Sequence, residues 1–393
     1  MIIKHSSSTG LLALLLALAG CGGGGGGGIG GTGAAAQGTL RLAVTDAPPC
    51  GFDAVNVTIE KVLVHQSATA ADGDAGWSEI VLAPAKRVDL LTLTNGVLAE
   101  LGQIPLPAGK YTQMRLVLGA NGTAPPFANS VLPTGGTETA LTTPSAVQSG
   151  LKLNTNIDVP VDQIADFVLD FDACKSIVKR GNSGEFNLKP VISVIPRLSD
   201  AGMRVIGYLH PLLATSTTHV SVQFNGVPVK ATPPDPTGRF VLYPVPAGTY
   251  DLVVTAPGRV TAVMTGVPVT TSAYTYVNAI GTPLLTAPSA MRAVNGSVTP
   301  VSATTRALQT LTGGPNVEVA WGPVDAGSGA FAFSLPIAAP VRSAYAAGVT
   351  APVFASDAGA AGKYTIEASA AAVLKTQAID ANAAVPALSF TLP

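Results

Sequence analysis

Charge is scarce in this chain of 393 residues: 11% are Asp, Glu, Lys or Arg, with 22 basic against 23 acidic. So even a balance leaves no polybasic face, and nucleic-acid binding is excluded as a leading function. Aromatics make up 5%, and Trp77 and Trp321 are the two tryptophans. That weakens a sugar-binding face, which needs aromatic platforms. Four His are present, and none stands in a His-x-x-x-His or nucleophile-elbow setting. There are three Cys, Cys21, Cys50 and Cys174, with no dithiol redox spacing. The apolar run at residues 11–19 falls short of the roughly 20 residues that span a bilayer. Helical periodicity is scarce too.

What fills the chain is strand pattern. Runs such as "TLRLAVTDAP", "AVNVTIEKVLVH", "WSEIVLA", "KRVDLLTL", "YTQMRLVLG", "FVLDFDA" and "KPVISVIP" alternate apolar and polar residues between Gly, Pro, Asn and Asp clusters. Period-two runs at short spacing predict an all-β chain of sandwiches or barrels. Short helical turns are expected near residues 98–101 and within "PVDQIADFV" at 160–168. The apolar share of 47% supports real cores, and the length allows two or three domains. Residues 21–200 hold 12 Lys/Arg against 16 Asp/Glu, while 201–393 hold 9 against 7, a split that suggests different domains and nothing stronger.

Residues 1–20 read as an export signal, with Lys4 ahead of the apolar run. "LAGC" at residues 18–21 resembles the lipobox of bacterial lipoproteins. The resemblance implies cleavage before Cys21 and diacylglycerol and palmitate chains on that residue, hence a membrane anchor. An ordinary signal peptide with a chance Cys is the alternative. The Gly-rich stretch at 21–38 reads as a flexible tether with a mean reach of roughly 25 Å. Gly22 stands where Asp favours retention at the inner membrane, which leans the chain toward the outer membrane of a Gram-negative bacterium.

Export leaves Cys50 and Cys174 as a pair that invites a disulfide. Closing that loop would stabilise the fold by roughly 4–5 kcal/mol at most. Buried free thiols or a metal pair are the alternatives.

Residues 39–198 form the first expected domain. "TDAPPCGFDAVNVTIEKVLVH", "VDLLTLTNG", "LPAGKYTQMRLVL", "TPSAVQSGLKL", "DFDACKSIV" and "LKPVI" follow in order there. Together they resemble the bacterial lipoprotein family known as domain of unknown function 4382, which implies a mostly β domain after a lipid anchor and no known activity. Residues 203–283 contain "VIGYLHP", "GVPV", "TGRF", "PAGTYDLVV" and "APGR". These are similar to the carboxypeptidase-regulatory-like or transthyretin-like (prealbumin-like) sandwich, a carbohydrate-binding-like fold whose members are mostly stalks and accessory modules. Residues 293–393 read as a divergent copy: "GSVTP" answers "GYLHP", "VEVAW" answers "VSVQF", "GSGAFAFSLP" answers "PTGRFVLYPVP" and "AGKYTIEASA" answers "AGTYDLVVTA". An insert follows "SLP", and "GTPLLTAPSAM" is expected to be a semi-rigid linker. Tyr111, Tyr250 and Tyr364 each follow Gly by two residues, and are expected to send their hydroxyls to backbone as corner tyrosines do.

Candidate chemistry is sparse. Asp170 and Asp172 would share a strand face, and a disulfide would bring Asp46 and Asp53 toward them. Four such carboxylates could hold Ca²⁺. The alternative is turn-capping by Asp46 and Asp53 with ion pairs to Lys175, Arg115 or Lys152. "DGDAGW" at 72–77 lacks the twelfth-position glutamate of a Ca²⁺ loop and reads as a hairpin tip. "SGLK" at 149–152 precedes a strand and lacks the companions of a penicillin-recognising site. His65, His210 and His219 read as surface or edge residues, and Trp321 as a core residue. The expected function is a non-enzymatic, lipid-anchored envelope protein without a cofactor. Its partners would be the membrane and an envelope polysaccharide or protein. A carbohydrate- or peptide-binding module is the alternative. A hydrolase using Asp170 and Asp172 ranks last.

Overall fold

The computed structural model describes residues 36–46, 51–143, 146–181 and 183–393. Twelve strands come first: β1 (Gln37–Asp46), β2 (Phe52–His65), β3 (Ser78–Asp89), β4 (Ala99–Pro107), β5 (Gly109–Leu118), β6 (Ser130–Pro133), β7 (Thr139–Thr142), β8 (Leu151–Val159), β9 (Ile164–Phe171), β10 (Ile177–Lys179), β11 (Phe186–Leu188) and β12 (Ile192–Pro196). One sheet runs β12-β9-β1-β4 and the other β10-β11-β7-β6-β2-β5-β8, with β3 also paired to β2. The alternation in "LKLNTNIDV" buries Leu151, Leu153, Ile157 and Val159 while Lys152, Asn154 and Asp158 face out. Leu40, Leu42 and Val44 of β1 meet Val55, Val57 and Ile59 of β2 in one core.

The rest of the chain is written twice. β13 (Val205–Tyr208), β14 (His219–Phe224), β15 (Val227–Thr232), β16 (Arg239–Leu242), β17 (Gly248–Thr255), β18 (Ala262–Val269) and β19 (Thr275–Tyr276) form sheets β16-β13-β19 and β15-β14-β17-β18. β20 (Met291–Thr299), β21 (Thr304–Thr310), β22 (Asn316–Gly322), β23 (Ala330–Pro336), β24 (Val341–Ala344), β25 (Ala355–Ser356), β26 (Lys363–Ala370), β27 (Val373–Asp380) and β28 (Leu388–Thr391) follow. They form sheets β23-β20-β28 and β22-β21-β26-β27. The two strand orders coincide, down to the parallel pairs β13–β19 and β20–β28.

This topology shifts one equivalence expected from sequence. "VSVQF" lies on β14, whose counterpart is β21, whereas "VEVAW" lies on β22, the counterpart of β15. Length and alternation match two strands equally well, and only pairing separates them. Both expected helical turns are strand instead: residues 99–101 open β4, and residues 164–168 open β9. In the first sandwich helical turns form at Leu90–Thr92 and Ala173–Ser176 instead, where Asp89 and Asp172 cap free amides.

The insert and the linker bind the copies together. Residues of the insert form β24, which adds in parallel to β18 of the neighbouring copy. Val341, Tyr345 and Phe354 pack against that copy's core. In the linker, Leu284 exchanges backbone hydrogen bonds with Tyr208 and His210. Val253, Val263, Leu311, Val317 and Ala360 form a small core between the copies. Ala36–Pro393 is consequently one compact unit.

The three tyrosines serve one purpose. Tyr111 and Tyr250 donate to the carbonyls of Pro107 and Pro246, at 3.0 and 2.9 Å. Tyr364 donates to Pro336, across the whole insert. The insert is therefore spliced into the corner without breaking the corner's bond.

Gly207 and Gly296 also occupy one place. Each faces a Phe across its strand pair, Gly207 to Phe240 and Gly296 to Phe331. A Cβ at either position would overlap the Phe ring. Gly207→Ala and Gly296→Ala should each cost about 1–3 kcal/mol by overpacking. Thermal melts of the full chain check this against Gly281→Ala, whose Cβ would meet nothing within 4 Å. Equal melting temperatures for all three variants would refute it.

Candidate functional site

A cavity of about 460 Å³ lies where the first sandwich meets both copies. Asp170, Asp172 and Lys175 come from the first, His219 and Lys230 from the second, and Glu318 and Trp321 from the third. β9 carries Asp170 to its end, and Asp172 caps the short helix that presents Lys175. β15 and β22, the equivalent edge strands of the two copies, supply Lys230 and Glu318.

The charges form two connected groups. Lys230, almost wholly buried, bonds the Asp170 carboxylate and donates to the Asp46 carbonyl at 3.2 Å. Lys175 lies between Asp172 at 3.5 Å and Glu318 at 3.4 Å. Arg306 continues from Glu318 at 3.5 Å to Glu367 at 2.6 Å. The Gln223 side chain pairs with the Glu318 backbone through two hydrogen bonds of 2.8 Å. Lys175 also stands 5.0 Å from the Trp321 ring centroid.

Burial pushes the Asp170 carboxyl up, against the pull of Lys230. Burial raises Glu318 as well, opposed by Lys175 and Arg306. For Lys175 burial works downward, yet Glu318 and Asp172 outweigh it and hold the ammonium above its ordinary value. Burial lowers the His219 imidazole, which keeps it neutral at pH 7.

The four expected Ca²⁺ ligands do not act as one site. Asp46 is buried and its carboxylate accepts from the Ala173 amide at 2.9 Å. Asp170 and Asp172 are held by Lys230 and Lys175. Asp53 is exposed and accepts from the Thr134 hydroxyl at 2.8 Å. Among the described residues no three His, Cys, Asp or Glu side chains stand together as a ligand set. Asp172 lies past the strand end, so the shared strand face expected for it with Asp170 is absent. Arg115 pairs with Asp72 in the hairpin tip, and Lys152 is exposed on β8.

Other residues also depart from expectation. Trp321 lines the cavity instead of filling a core. His219 lines it too, whereas His65 braces the hairpin tip through Ala75 and His210 caps a turn at Leu212. Cys174 lines the cavity wall; Cys21 and Cys50 lie outside the described residues. Sequence reasoning missed Lys230, Glu318, Arg306 and Glu367. For Lys230 and Glu318 the signal was a lone charge in an otherwise apolar strand, as in "VPVKAT" and "NVEVAW".

The class defined so far is an all-β protein of fused sandwiches with a junction cavity whose largely apolar wall carries buried ion pairs. Residues 37–190 match the family model described as Domain of unknown function (DUF4382). No curated protein matches the chain. Among solved structures, a chain of a mutant type II cohesin-X-dockerin complex from Acetivibrio cellulolyticus is similar at 26% identity. The match covers 23% of this chain and 60% of that one, with a TM-score of 0.19.

Two predictions follow from the charges. Lys230→Met strands Asp170 in a buried place and should cost about 3–5 kcal/mol, whereas Lys230→Met with Asp170→Asn should regain most of it. Denaturant titration of both variants decides, and a double variant no better than the single one would refute the pairing. For His219 the folded chain resists protonation and the unfolded chain does not. Its contribution is therefore full above 6.5 and lost as pH falls through the lower folded value. His219→Gln should lose less melting temperature than the parent between about pH 7.5 and about pH 5.5. Parallel pH profiles would count against it.

Proposed function

We propose that this chain is a lipid-anchored, non-enzymatic protein of the bacterial cell envelope, held by Cys21 at the outer membrane of a Gram-negative bacterium. The "LAGC" motif and the Gly-rich run after it support the anchor. No described helix is long and apolar enough to cross a membrane. The observation that carries the non-enzymatic reading is the state of the carboxylates. Asp170, Asp172 and Glu318 are all engaged by cations that join one sandwich to another. A glycosidase-type hydrolase needs two carboxyl groups placed around a scissile bond and available for proton transfer or attack. Asp170 and Glu318 join one sandwich to another, and Asp172 holds the Lys175 that reaches Glu318. Within this proposal the two copies are prealbumin-like modules, and their coincident strand orders support a duplicated unit.

Within this proposal Cys50 and Cys174 form a disulfide. Its support is the bond from the Ala173 amide to Asp46, which brings the chain just before Cys50 beside the residue preceding Cys174.

Cys21→Ser should abolish labelling by a palmitate analogue in cells and release the protein from the membrane pellet. Labelling that survives the substitution would sink the anchor. Thiol counting on the denatured, unreduced Cys21→Ser chain should find no free thiol. Two free thiols would sink the disulfide.

The cavity favours a second reading, a binding protein of the envelope. Its volume falls within the roughly 300–1,000 Å³ of small-molecule sites, and it is lined by polar groups from three sandwiches.

A further inference from the structure

The charged groups around the cavity are matched almost completely. Lys230 answers Asp170, and Lys175 answers Asp172 and Glu318. Arg259 is the exception. It lines the cavity and, among the described residues, makes no ion pair; one Nη1 donates to the Thr286 carbonyl at 3.0 Å. A guanidinium has five donors in a planar fork suited to a carboxylate, so most of that capacity is unspent.

Two more groups on the wall are unspent. The His219 side chain makes no hydrogen bond among the described residues, and neither does the Trp321 indole N–H. A neutral imidazole can donate at one nitrogen and accept at the other. The indole offers one donor and an apolar ring, in a cavity that Val319 and Met291 also line. The rim includes exposed Ser193, Pro257 and Ser334, which gives the cavity an open mouth.

We propose that this cavity binds the carboxylated sugar residue of an acidic polysaccharide, a uronate, with its carboxylate on Arg259. His219 and the Trp321 N–H meet ring hydroxyls, and the indole and Val319 cover an apolar edge of the ring. A neutral sugar leaves Arg259 unanswered. A divalent cation is disfavoured, because the carboxylates already have their cations. This inference deepens the second reading above and rests on it, while the lipid anchor stands apart.

The test uses the Cys21→Ser full chain and four probes: D-glucuronate, D-galacturonate, methyl glucoside and an acidic tripeptide. Binding is read by NMR of the indole N–H resonances and by titration calorimetry. A uronate should shift the Trp321 resonance and leave Trp77 in place. Arg259→Gln should weaken uronate binding about 10- to 100-fold, the weight of one hydrogen bond to a charged group. It should leave the weaker methyl glucoside affinity unchanged. His219→Gln, which keeps the ion pairs intact, should weaken uronate and glucoside together. Equal affinity for uronate and glucoside in the parent would overturn the Arg259 assignment but keep the binding reading. Binding of the tripeptide in preference to the uronates would overturn the sugar class. No response to any probe would overturn the proposal and the binding reading alike, leaving the anchor to its own experiment.

Discussion

A charge removed from water must find its opposite, and in this chain that requirement sets how the sandwiches sit. Lys230 belongs to an edge strand of the second sandwich, and its ammonium is buried against Asp170 of the first. Glu318 belongs to the equivalent edge of the third and meets Lys175 of the first. Hydrophobic surfaces alone would tolerate sliding, because apolar contact has no direction. Ion pairs in a partly buried place do not, because an unpaired partner costs several kcal/mol. The apolar contacts supply adhesion, and the ion pairs select the register. The cavity is what remains where three convex sandwiches touch at an edge fixed in this way.

Duplication explains why the charges stand where they do. β15 and β22 are the same strand of the same unit, and both lie at the end of a sheet. An edge strand has unpaired backbone and invites association, which a buried charge on the strand makes specific. One copy carries a cation there and the other an anion, so the two edges answer different groups on the first sandwich. The copies are joined further by β24, which fills the open side of β18. The topologically equivalent β27 has no such neighbour among the described residues, and its side chains are almost all exposed.

Strand alternation made the fold class legible, because burial on one face prints a period of two in the residues themselves. The corner tyrosines were legible for the same reason: the Gly-x-Tyr spacing places the ring inward and the hydroxyl at a carbonyl four residues back. Tyr364 shows the limit. Its partner Pro336 is 28 residues away, and only the fold brings the two together. Pairing between similar strands is illegible, which is why "VEVAW" resembles "VSVQF" in sequence yet takes the place of β15 in the sheet. Length and apolarity are shared by every strand, whereas neighbours are decided by the whole sheet.

The cavity was harder to read, because its residues come from sequence positions more than a hundred apart. Asp170 and Asp172 stand in one short segment and, with Asp46 and Asp53, suggest a metal site, while Lys175 three residues on belongs to the alternative of ion pairs. The missing information was the cation. Lys230 arrives from another sandwich and occupies the place that Ca²⁺ would have filled for Asp170. In a chain where few residues carry charge, a single Lys or Glu inside an apolar strand is informative by its expense. Such a residue is retained only where a partner waits, and the partner lies across an interface whenever its own sheet offers none. Lys230, paired with Asp170 of another sandwich, and Glu318, paired with Lys175 across the junction, mark where the three sandwiches meet, whereas Glu367 pairs with Arg306 opposite it in its own sheet. Arg259, which answers no carboxylate among the described residues, is the cavity charge that the ion pairs between sandwiches leave over.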